Sequence, residues 1–143
     1  MNLILASHGY MAQETVNAAK MIFGEIEELD TVTFVPGENV QNLKEKYQTI
    51  IAKYPEDTEI LFLVDLFGGS PYNAAFEMVI NEERMDVITG LSLPMLIEVL
   101  GIRQMNSDMK ASQIIHDLDS GSYIKSCKTL LQGMQEEEEE DEL

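Results

Sequence analysis

The sequence predicts an α/β fold, with an open, doubly wound, mainly parallel sheet and helices on both faces. Short apolar runs alternate with longer stretches whose apolar residues recur at helical spacing, a pattern typical of strand–helix units joined by right-handed crossovers. The strongest strand pattern, Ile-Leu-Phe-Leu-Val at 60–64, contains no polar position, as expected for a strand that is covered on both faces. At 143 residues, the chain has the length of one domain that buries its own core.

The first four predicted elements alternate between strand and helix. They cover 3–6 (strand), 10–23 (helix), 31–35 (strand) and 40–53 (helix). The helical spacing in the first helix falls on Met11, Thr15, Ala18, Ala19 and Ile22. Pro36 and Gly37 end the second strand, and Asn39 can cap the helix that follows.

The later elements continue the alternation. The strand at 60–64 leads into a helix from 72, the strand at 85–89 leads into a helix that begins at 93–94, and a last helix runs from 112 to about 118. Asp-Ser-Gly at 119–121 breaks that helix. The stretch 123–131 suits a helix through Ile124, Cys127 and Leu131, but periodicity alone does not decide its conformation.

Charge and composition exclude several classes of protein. A formal net charge of −17 argues against nucleic-acid binding, because phosphates would be repelled, and it favours partners that present a basic face. No apolar run approaches the roughly 18 residues of a membrane span, and no basic segment precedes the first apolar run, as a signal peptide requires. The single cysteine, Cys127, suits a reducing compartment. We therefore expect a cytoplasmic protein without direct membrane insertion.

The C-terminal segment has a composition of its own. Seven consecutive acids occupy 136–142, and removing their charges from −17 leaves −10 on the rest of the chain. Such a block is typical of a solvated, disordered segment. We therefore divide the chain into a domain at 1–133 and an acidic tail at 134–143 that we expect to be disordered.

His8 is the first candidate site residue. It follows the first predicted strand and is followed at once by Gly9, so it lies in a strand-to-helix turn at the carboxyl end of that strand. Ligands bind at this edge of open α/β sheets, where an imidazole can act as a nucleophile, a base or a ligand. The alternative is that His8 only caps the start of the helix.

A second strand-to-helix turn follows the strand at 60–64. It contains Asp65, the glycine pair Gly68 and Gly69, and Ser70 before a proline. The glycines allow a close approach of the backbone to a ligand. Ser70 is predicted to be the N-cap with proline in the first helical position, and the N–H groups of such a helix start suit an anion. The sequence therefore predicts an anion site beside a carboxylate.

The two turns together indicate a specific chemistry. A carboxylate that is hydrogen-bonded to one ring nitrogen of a histidine fixes the tautomer and leaves the lone pair of the other nitrogen free. The glycine-rich turn would then hold a phosphoryl group on that free nitrogen. Pro36 and Gly37 end the second strand at the same sheet edge, where they either line the mouth of the site or form a plain turn.

Four motifs in order give the chain a resemblance to a known family. Ala-Ser-His-Gly at 6–9, Phe-Val-Pro-Gly-Glu-Asn at 34–39, the run at 63–75 around Asp65, and Gly-Leu-Ser-Leu-Pro-Met-Leu at 90–96 are similar to those of the IIA component of the mannose family of the bacterial sugar phosphotransferase system. The resemblance extends from residue 2 to about residue 130, and the order and spacing of the motifs make it specific.

The resemblance implies a function and roles for individual residues. Proteins of this family accept a phosphoryl group on a histidine from the carrier phospho-HPr and pass it to a IIB component, after which the membrane components IIC and IID move the sugar. Carried over by motif, His8 is the phosphorylated residue, Asp65 orients it, and Gly69 and Ser70 hold the phosphate through the serine side chain and both amides. Pro36, Gly37, Phe67 and Gly68 are expected to line the pocket. No metal and no cofactor are required.

The resemblance also bears on assembly and leaves alternatives open. It suggests a homodimer in which 123–131 forms a final antiparallel strand that is exchanged between two subunits. Other candidates are a phosphotransferase subunit that serves dihydroxyacetone kinase or regulation, and a flavodoxin-like domain that binds a small ligand. Two histidines and one cysteine argue against a zinc site, and no Gly-Lys-Ser/Thr follows the glycine pair, as nucleotide hydrolysis would require. The sequence does not identify the sugar.

Overall fold

A computed structural model describes residues 1–142 and contains four strands and six helices. The strands are β1 Asn2–His8, β2 Leu29–Phe34, β3 Ile60–Val64 and β4 Met85–Thr89. The helices are α1 Met11–Phe23, α2 Val40–Ile51, α3 Ser70–Val79, α4 Leu93–Met105, α5 Ile114–Asp117 and α6 Cys127–Asp141. Short 3₁₀ turns occupy Ala111–Gln113 and Ser120–Ser122.

The sheet is parallel throughout and has the strand order β2-β1-β3-β4. Its two central strands, β1 and β3, come from the apolar runs that the sequence analysis singled out. The chain leaves β1 toward β2 on one side, whereas β3 lies on the other side. The carboxyl ends of β1 and β3 therefore meet where the strand order reverses, which is the usual ligand position in open α/β sheets. The predicted fold class is confirmed.

Both faces of the sheet are covered, as the uniformly apolar strands predict. Alternate residues of β1 enter two cores, with Leu3 and Leu5 in one and Ile4 and Ala6 in the other. Helices α1 and α4 contribute to the first core, and α2 and α3 contribute to the second. Each of the larger apolar side chains that is fully buried contributes about 1.5–3 kcal/mol to folding, so the strand ends that carry the site rest on a rigid base.

Helix α1 buries a different face from the predicted one. Its buried residues are Ala12, Val16 and Ala19, whereas Met11 and Ile22 are 42% and 64% exposed. The small alanine side chains allow the helix to lie close to the sheet, and the larger apolar residues remain at the edge of the contact. Of the predicted face, only Ala19 is buried.

The start of α3 also differs from the prediction by one residue. Gly69, with extended backbone angles, is the N-cap, and Ser70 is already the first helical residue. The Ser-Pro pattern is compatible with both arrangements, because proline is tolerated throughout the first helical turn. The bounds of β3 and β4, in contrast, are as predicted.

The C-terminal region of the described chain contains the helix α6, Cys127–Asp141. Residues 123–131 do not add a strand to the sheet, and α6 continues through most of the acidic run. The hydroxyl of Ser126 caps α6 by accepting from the amide of Thr129 at 3.3 Å, and glutamate is among the better helix formers. The exchange of a strand between two subunits, and the division of the chain into a domain at 1–133 and a disordered tail at 134–143, stay predictions. None of the helices formed by residues 1–142 is long and apolar enough to cross a membrane.

Candidate active site

The end of β1 presents the imidazole of His8 to solvent. Gly9 turns the chain away at a φ of 59°, which favours glycine, and its amide donates to the carbonyl of Phe34 at 2.8 Å. The buried hydroxyl of Ser7 accepts from the amide of Ala12 at 2.7 Å and so satisfies one N–H group of the first turn of α1. The ring of His8 makes no hydrogen bond to α1 within residues 1–142, since its side-chain contact is with Asp65, so His8 does not cap this helix.

Asp65, immediately after β3, holds both the backbone and the ring of His8. Its Oδ2 accepts from the His8 amide at 2.9 Å and lies 2.8 Å from His8 Nδ1. An ionised carboxylate is an acceptor only, so in a neutral imidazole this contact favours the tautomer with the proton on Nδ1 and the lone pair on Nε2. The Asp65 side chain is 12% exposed, whereas that of His8 is 48% exposed. The arrangement fixes one ring nitrogen at the carboxylate and leaves the other nucleophilic.

The turn from Asp65 into α3 lies directly against the His8 ring. A Cβ at Gly69 would lie 3.0 Å from His8 Cε1, so only glycine fits without displacing its neighbour. The Gly69 amide donates to the carbonyl of Leu66 at 3.3 Å, and Gly68 has a φ of 79°. Gly69 is required for the close approach to the ring, and Gly68 is required for the positive φ of the turn. The turn brings the start of α3 next to the imidazole.

Free donors at the start of α3 differ from those that the resemblance implies. The Gly69 amide is engaged, whereas the Ser70 and Tyr72 amides and the Ser70 hydroxyl have no hydrogen-bond acceptor within residues 1–142. Pro71 has no N–H group. Helix starts with unpaired N–H groups attract anions. The Ser70 and Tyr72 amides and the Ser70 hydroxyl can therefore donate to an anion, whereas the Gly69 amide is already paired.

Sequence reasoning missed two residues that support the site, one at the start of α3 and one at the His8 ring. Buried Tyr47 on α2 donates its hydroxyl to the Pro71 carbonyl at 2.9 Å, which ties the first turn of α3 to α2. Burial raises the pKa of the Tyr47 phenol, and the negative charge of Asp65 raises it further. Phe34 packs edge-on against the His8 ring, with centroids 5.4 Å apart. A tyrosine on a buried helix face could have indicated the first contact, because a buried hydroxyl needs a partner.

The other predicted pocket residues lie at the same sheet edge but are not all at the imidazole. Pro36 and Gly37 form an exposed turn after β2, next to the strand end that carries Phe34. Phe67 is 73% exposed and packs its ring on Tyr72 at 4.9 Å. It lines a neighbouring cleft of about 380 Å³ between β4 and the α5 region, which does not include His8.

Other polar groups give no second site of this kind. His116 is an exposed residue of the short helix α5. Among residues 1–142, no three histidine, cysteine or acidic side chains come close enough together to hold a metal ion. One polar atom of the site itself is unpaired: the buried Oδ1 of Asp65 has no hydrogen-bond partner in the described chain. The hydrogen bonds that Asp65 accepts in the described chain are both made by Oδ2, and both come from His8.

Comparison with known families gives a match over most of the chain. The model of the family described as "PTS system fructose IIA component" matches residues 2–116. The chain is 36% identical over 144 residues to the fructose-specific EIIA component of Bacillus subtilis (strain 168), covering 96% of this chain and 99% of that protein. It is 43% identical over 101 residues to the mannose-specific EIIAB component of Escherichia coli (strain K12), covering 71% of this chain but only 31% of that longer protein.

Solved structures show the same fold. A mannose/sorbose-specific IIA subunit from Enterococcus faecalis superposes with a TM-score of 0.73 at 30% identity, covering 87% of this chain and 94% of that one. A phosphotransferase component EIIA from Streptococcus agalactiae superposes with a TM-score of 0.78 and covers 90% of this chain and 98% of that one. At 23% identity, the latter likeness concerns the fold alone.

Proposed function

The chain belongs to the mannose-type IIA family of the sugar phosphotransferase system, and we propose that it carries a phosphoryl group on His8 between phospho-HPr and a IIB component. Membership of the family makes it a sugar phosphotransferase component. The assignment of donor, acceptor and phosphorylated atom is our proposal. It depends above all on one observation, the 2.8 Å contact between His8 Nδ1 and Asp65 Oδ2, which directs Nε2 outward.

The proposed transfer needs positioning more than covalent activation. The Nε2 lone pair of neutral His8 forms a bond to phosphorus while the bond from phosphorus to the donor imidazole nitrogen of phospho-HPr breaks, and the electron pair of that bond returns to the donor ring. The His8 ring becomes positive as the new bond forms. Asp65 stabilises that charge through the Nδ1–H hydrogen bond without taking the proton, as the carboxylate of a catalytic triad does.

The start of α3 is proposed to hold the phosphoryl oxygens. The Ser70 hydroxyl and the Ser70 and Tyr72 amides have no acceptors of their own in the described chain, and they lie next to Gly69, which is packed against the imidazole. Neutral donors and a helix dipole attract the dianion without forming an ion pair. The phosphoramidate is thus held loosely enough to be passed on.

The proposal also covers the chain's partners, location and domain. A half-exposed histidine at an open sheet edge is accessible to two proteins in turn. We propose that the carrier acts in the cytoplasm and that its domain covers 1–133. It contacts the membrane components IIC and IID only through IIB, and it forms a homodimer. The His8 site does not determine which sugar is transported, because it does not contact sugar in this mechanism. The relatives are named for three different sugars, fructose, mannose and sorbose.

A reconstituted transfer assay tests the function. The full chain is incubated with phosphoenolpyruvate, HPr and the enzyme that transfers the phosphoryl group of phosphoenolpyruvate to a histidine of HPr. It should gain one phosphoryl group that is labile in acid and stable in base, as expected for a phosphoramidate. The label should then move to a cognate IIB component in the presence of a metal chelator. A chain that takes no label from phospho-HPr, or that carries an acid-stable phosphoester, is not a carrier of the proposed kind.

Replacing Gly69 by alanine should slow phosphorylation by up to about 10²-fold, because a displacement of about 1 Å at a reacting group can have that effect. The φ of −75° at Gly69 suits alanine, so the loss arises from the 3.0 Å approach of the new Cβ to His8 Cε1. The rate with phospho-HPr is the measurement.

Gly101→Ala is the matched control for this substitution. Gly101 lies within α4, and a Cβ there has no atom within 4 Å. This variant should keep the wild-type rate and gain about 0.5–1 kcal/mol in stability. An unchanged rate in a folded Gly69→Ala protein would show that the close approach of the turn to His8 has no role in transfer.

A further inference from the structure

Tyr47 is a fully buried residue of α2 whose hydroxyl reaches the start of α3. The hydroxyl donates to the Pro71 carbonyl at 2.9 Å. The ring packs edge-on against Phe62 of β3, with centroids 5.0 Å apart. Tyr47 is therefore fixed against the strand that leads to Asp65, and it holds the first turn of the helix that follows.

The carbonyl that accepts this hydrogen bond belongs to the same peptide unit as the amide of Tyr72. A peptide unit is planar, so its C=O and N–H groups point in opposite directions and cannot reorient separately. The Tyr72 amide has no acceptor within residues 1–142. By holding the Pro71 carbonyl, Tyr47 therefore fixes the direction of an N–H group that is free to bind an anion.

The same hydrogen bond makes the Tyr72 amide a stronger donor. A carbonyl that accepts a hydrogen bond polarises its peptide unit, so the N–H group at the other end becomes more positive. In an α-helix the Pro71 carbonyl also accepts from the amide four residues later, so the helix does not need the hydroxyl to satisfy this carbonyl. Burial and the negative charge of Asp65 raise the pKa of the Tyr47 phenol, and the hydroxyl therefore remains a donor.

We propose that Tyr47 is a positioning residue for phosphoryl transfer, which sets the direction and the donor strength of the Tyr72 amide through the Pro71 carbonyl. The proposal rests on the phosphoryl-carrier function proposed above. It gives a role in transfer to a buried side chain that touches neither the phosphoryl group nor a partner protein. A donor whose direction is fixed beforehand needs no reorganisation when charge develops on the phosphoryl oxygens.

Tyr47→Phe tests this role, because it keeps the ring that packs on Phe62 and removes only the hydroxyl. In single-turnover phosphorylation by phospho-HPr, the maximal rate should fall about tenfold or more, because a misdirected donor disturbs the geometry of the reacting group. The concentration of phospho-HPr that gives half the maximal rate should not change, since a buried hydroxyl does not contact the donor protein. A loss of this form identifies an interaction that is made in the transition state.

Two matched variants separate positioning from a general loss of stability. Tyr54→Phe removes another hydrogen-bonded hydroxyl, which donates to the Asp30 carboxylate at 2.6 Å near the amino end of β2, away from the site. Glu77→Gln weakens the 2.8 Å ion pair with Lys44, which also joins α3 to α2. Both variants should transfer at the wild-type rate, although Tyr54→Phe should lower the melting temperature about as much as Tyr47→Phe does, because each loses one hydroxyl hydrogen bond.

The amide signal of Tyr72 provides a measurement that a merely structural role of Tyr47 would not affect. In ¹⁵N-labelled wild-type protein, phosphorylation of His8 should move the Tyr72 amide proton downfield, as expected for a new hydrogen bond to a phosphoryl oxygen. This downfield shift should be smaller in Tyr47→Phe and should keep its wild-type size in Tyr54→Phe.

A Tyr47→Phe protein with the wild-type rate and the wild-type amide shift would overturn the positioning role and leave the carrier function standing. The same conclusion follows if the rate falls equally in Tyr54→Phe or Glu77→Gln, or if only the half-saturating concentration of phospho-HPr changes. A phosphorylated wild type whose Tyr72 amide proton does not move contradicts the proposal even if Tyr47→Phe fails to fold. A wild-type chain that takes no label from phospho-HPr overturns the carrier function, and this proposal with it.

Discussion

The His8→Ala protein should take no phosphoryl group from phospho-HPr. The imidazole of His8 is the nucleophile in the proposed transfer, and no neighbouring side chain can replace it. Folding should be nearly unaffected, because the ring is half exposed and its principal side-chain contacts are with Asp65 and Phe34. Radiolabel incorporation from phosphoenolpyruvate, together with the melting temperature, measures both expectations.

His116→Ala is the matched control for this experiment. It removes the other histidine of the chain, which is exposed on α5, and it should leave incorporation at the wild-type level. Label that persists in the His8→Ala protein, or that disappears in His116→Ala, would assign the phosphoryl group to another residue.

Asp65→Asn should fold and should slow phosphorylation by about 10²- to 10⁴-fold, by analogy with the corresponding change in a catalytic triad. If the new amide nitrogen faces His8, it donates to Nδ1 and favours the wrong tautomer. If the amide oxygen faces His8, the NH₂ group occupies the buried position of Oδ1, which has no partner in the described chain. In both orientations the negative charge that stabilises the developing imidazolium is lost.

The measurement for Asp65 is the single-turnover rate with phospho-HPr at saturating donor. Asp117→Asn is the control, because it makes the same chemical change at an exposed position of α5 and should transfer at the wild-type rate. A folded Asp65→Asn protein that also transfers at the wild-type rate would remove Asp65 from the mechanism.

Much of the site could be predicted from sequence because it depends on strand ends. His8 and Asp65 each follow an apolar run, and parallel neighbours bring their carboxyl ends to one edge of the sheet. The 2.8 Å contact between the two side chains follows from that topology. Local periodicity was sufficient for β3 and β4, whose limits agree with the prediction.

The contacts that sequence reasoning missed join residues far apart in the chain. Tyr47 reaches Pro71 across α2 and α3, and Phe34 reaches His8 only because β1 and β2 are in register there. Periodicity gives the face of a helix but not its rotation on the sheet, which is why α1 buries Ala12 and Val16 instead of Met11 and Ile22. The composition of the acidic run does not indicate a helix. In the structure, α6 begins at a Ser126 cap and continues into the glutamates.

The most direct test of the carrier mechanism is the position of the phosphoryl group on the imidazole. The chain, labelled with ¹⁵N in histidine and phosphorylated through HPr, can be studied by nitrogen and phosphorus NMR, which distinguishes the two ring nitrogens. We predict a phosphorus coupling to Nε2 of His8, with a proton retained on Nδ1 next to Asp65. A phosphoryl group on Nδ1 of His8, on His116 or on the Ser70 hydroxyl would contradict the mechanism.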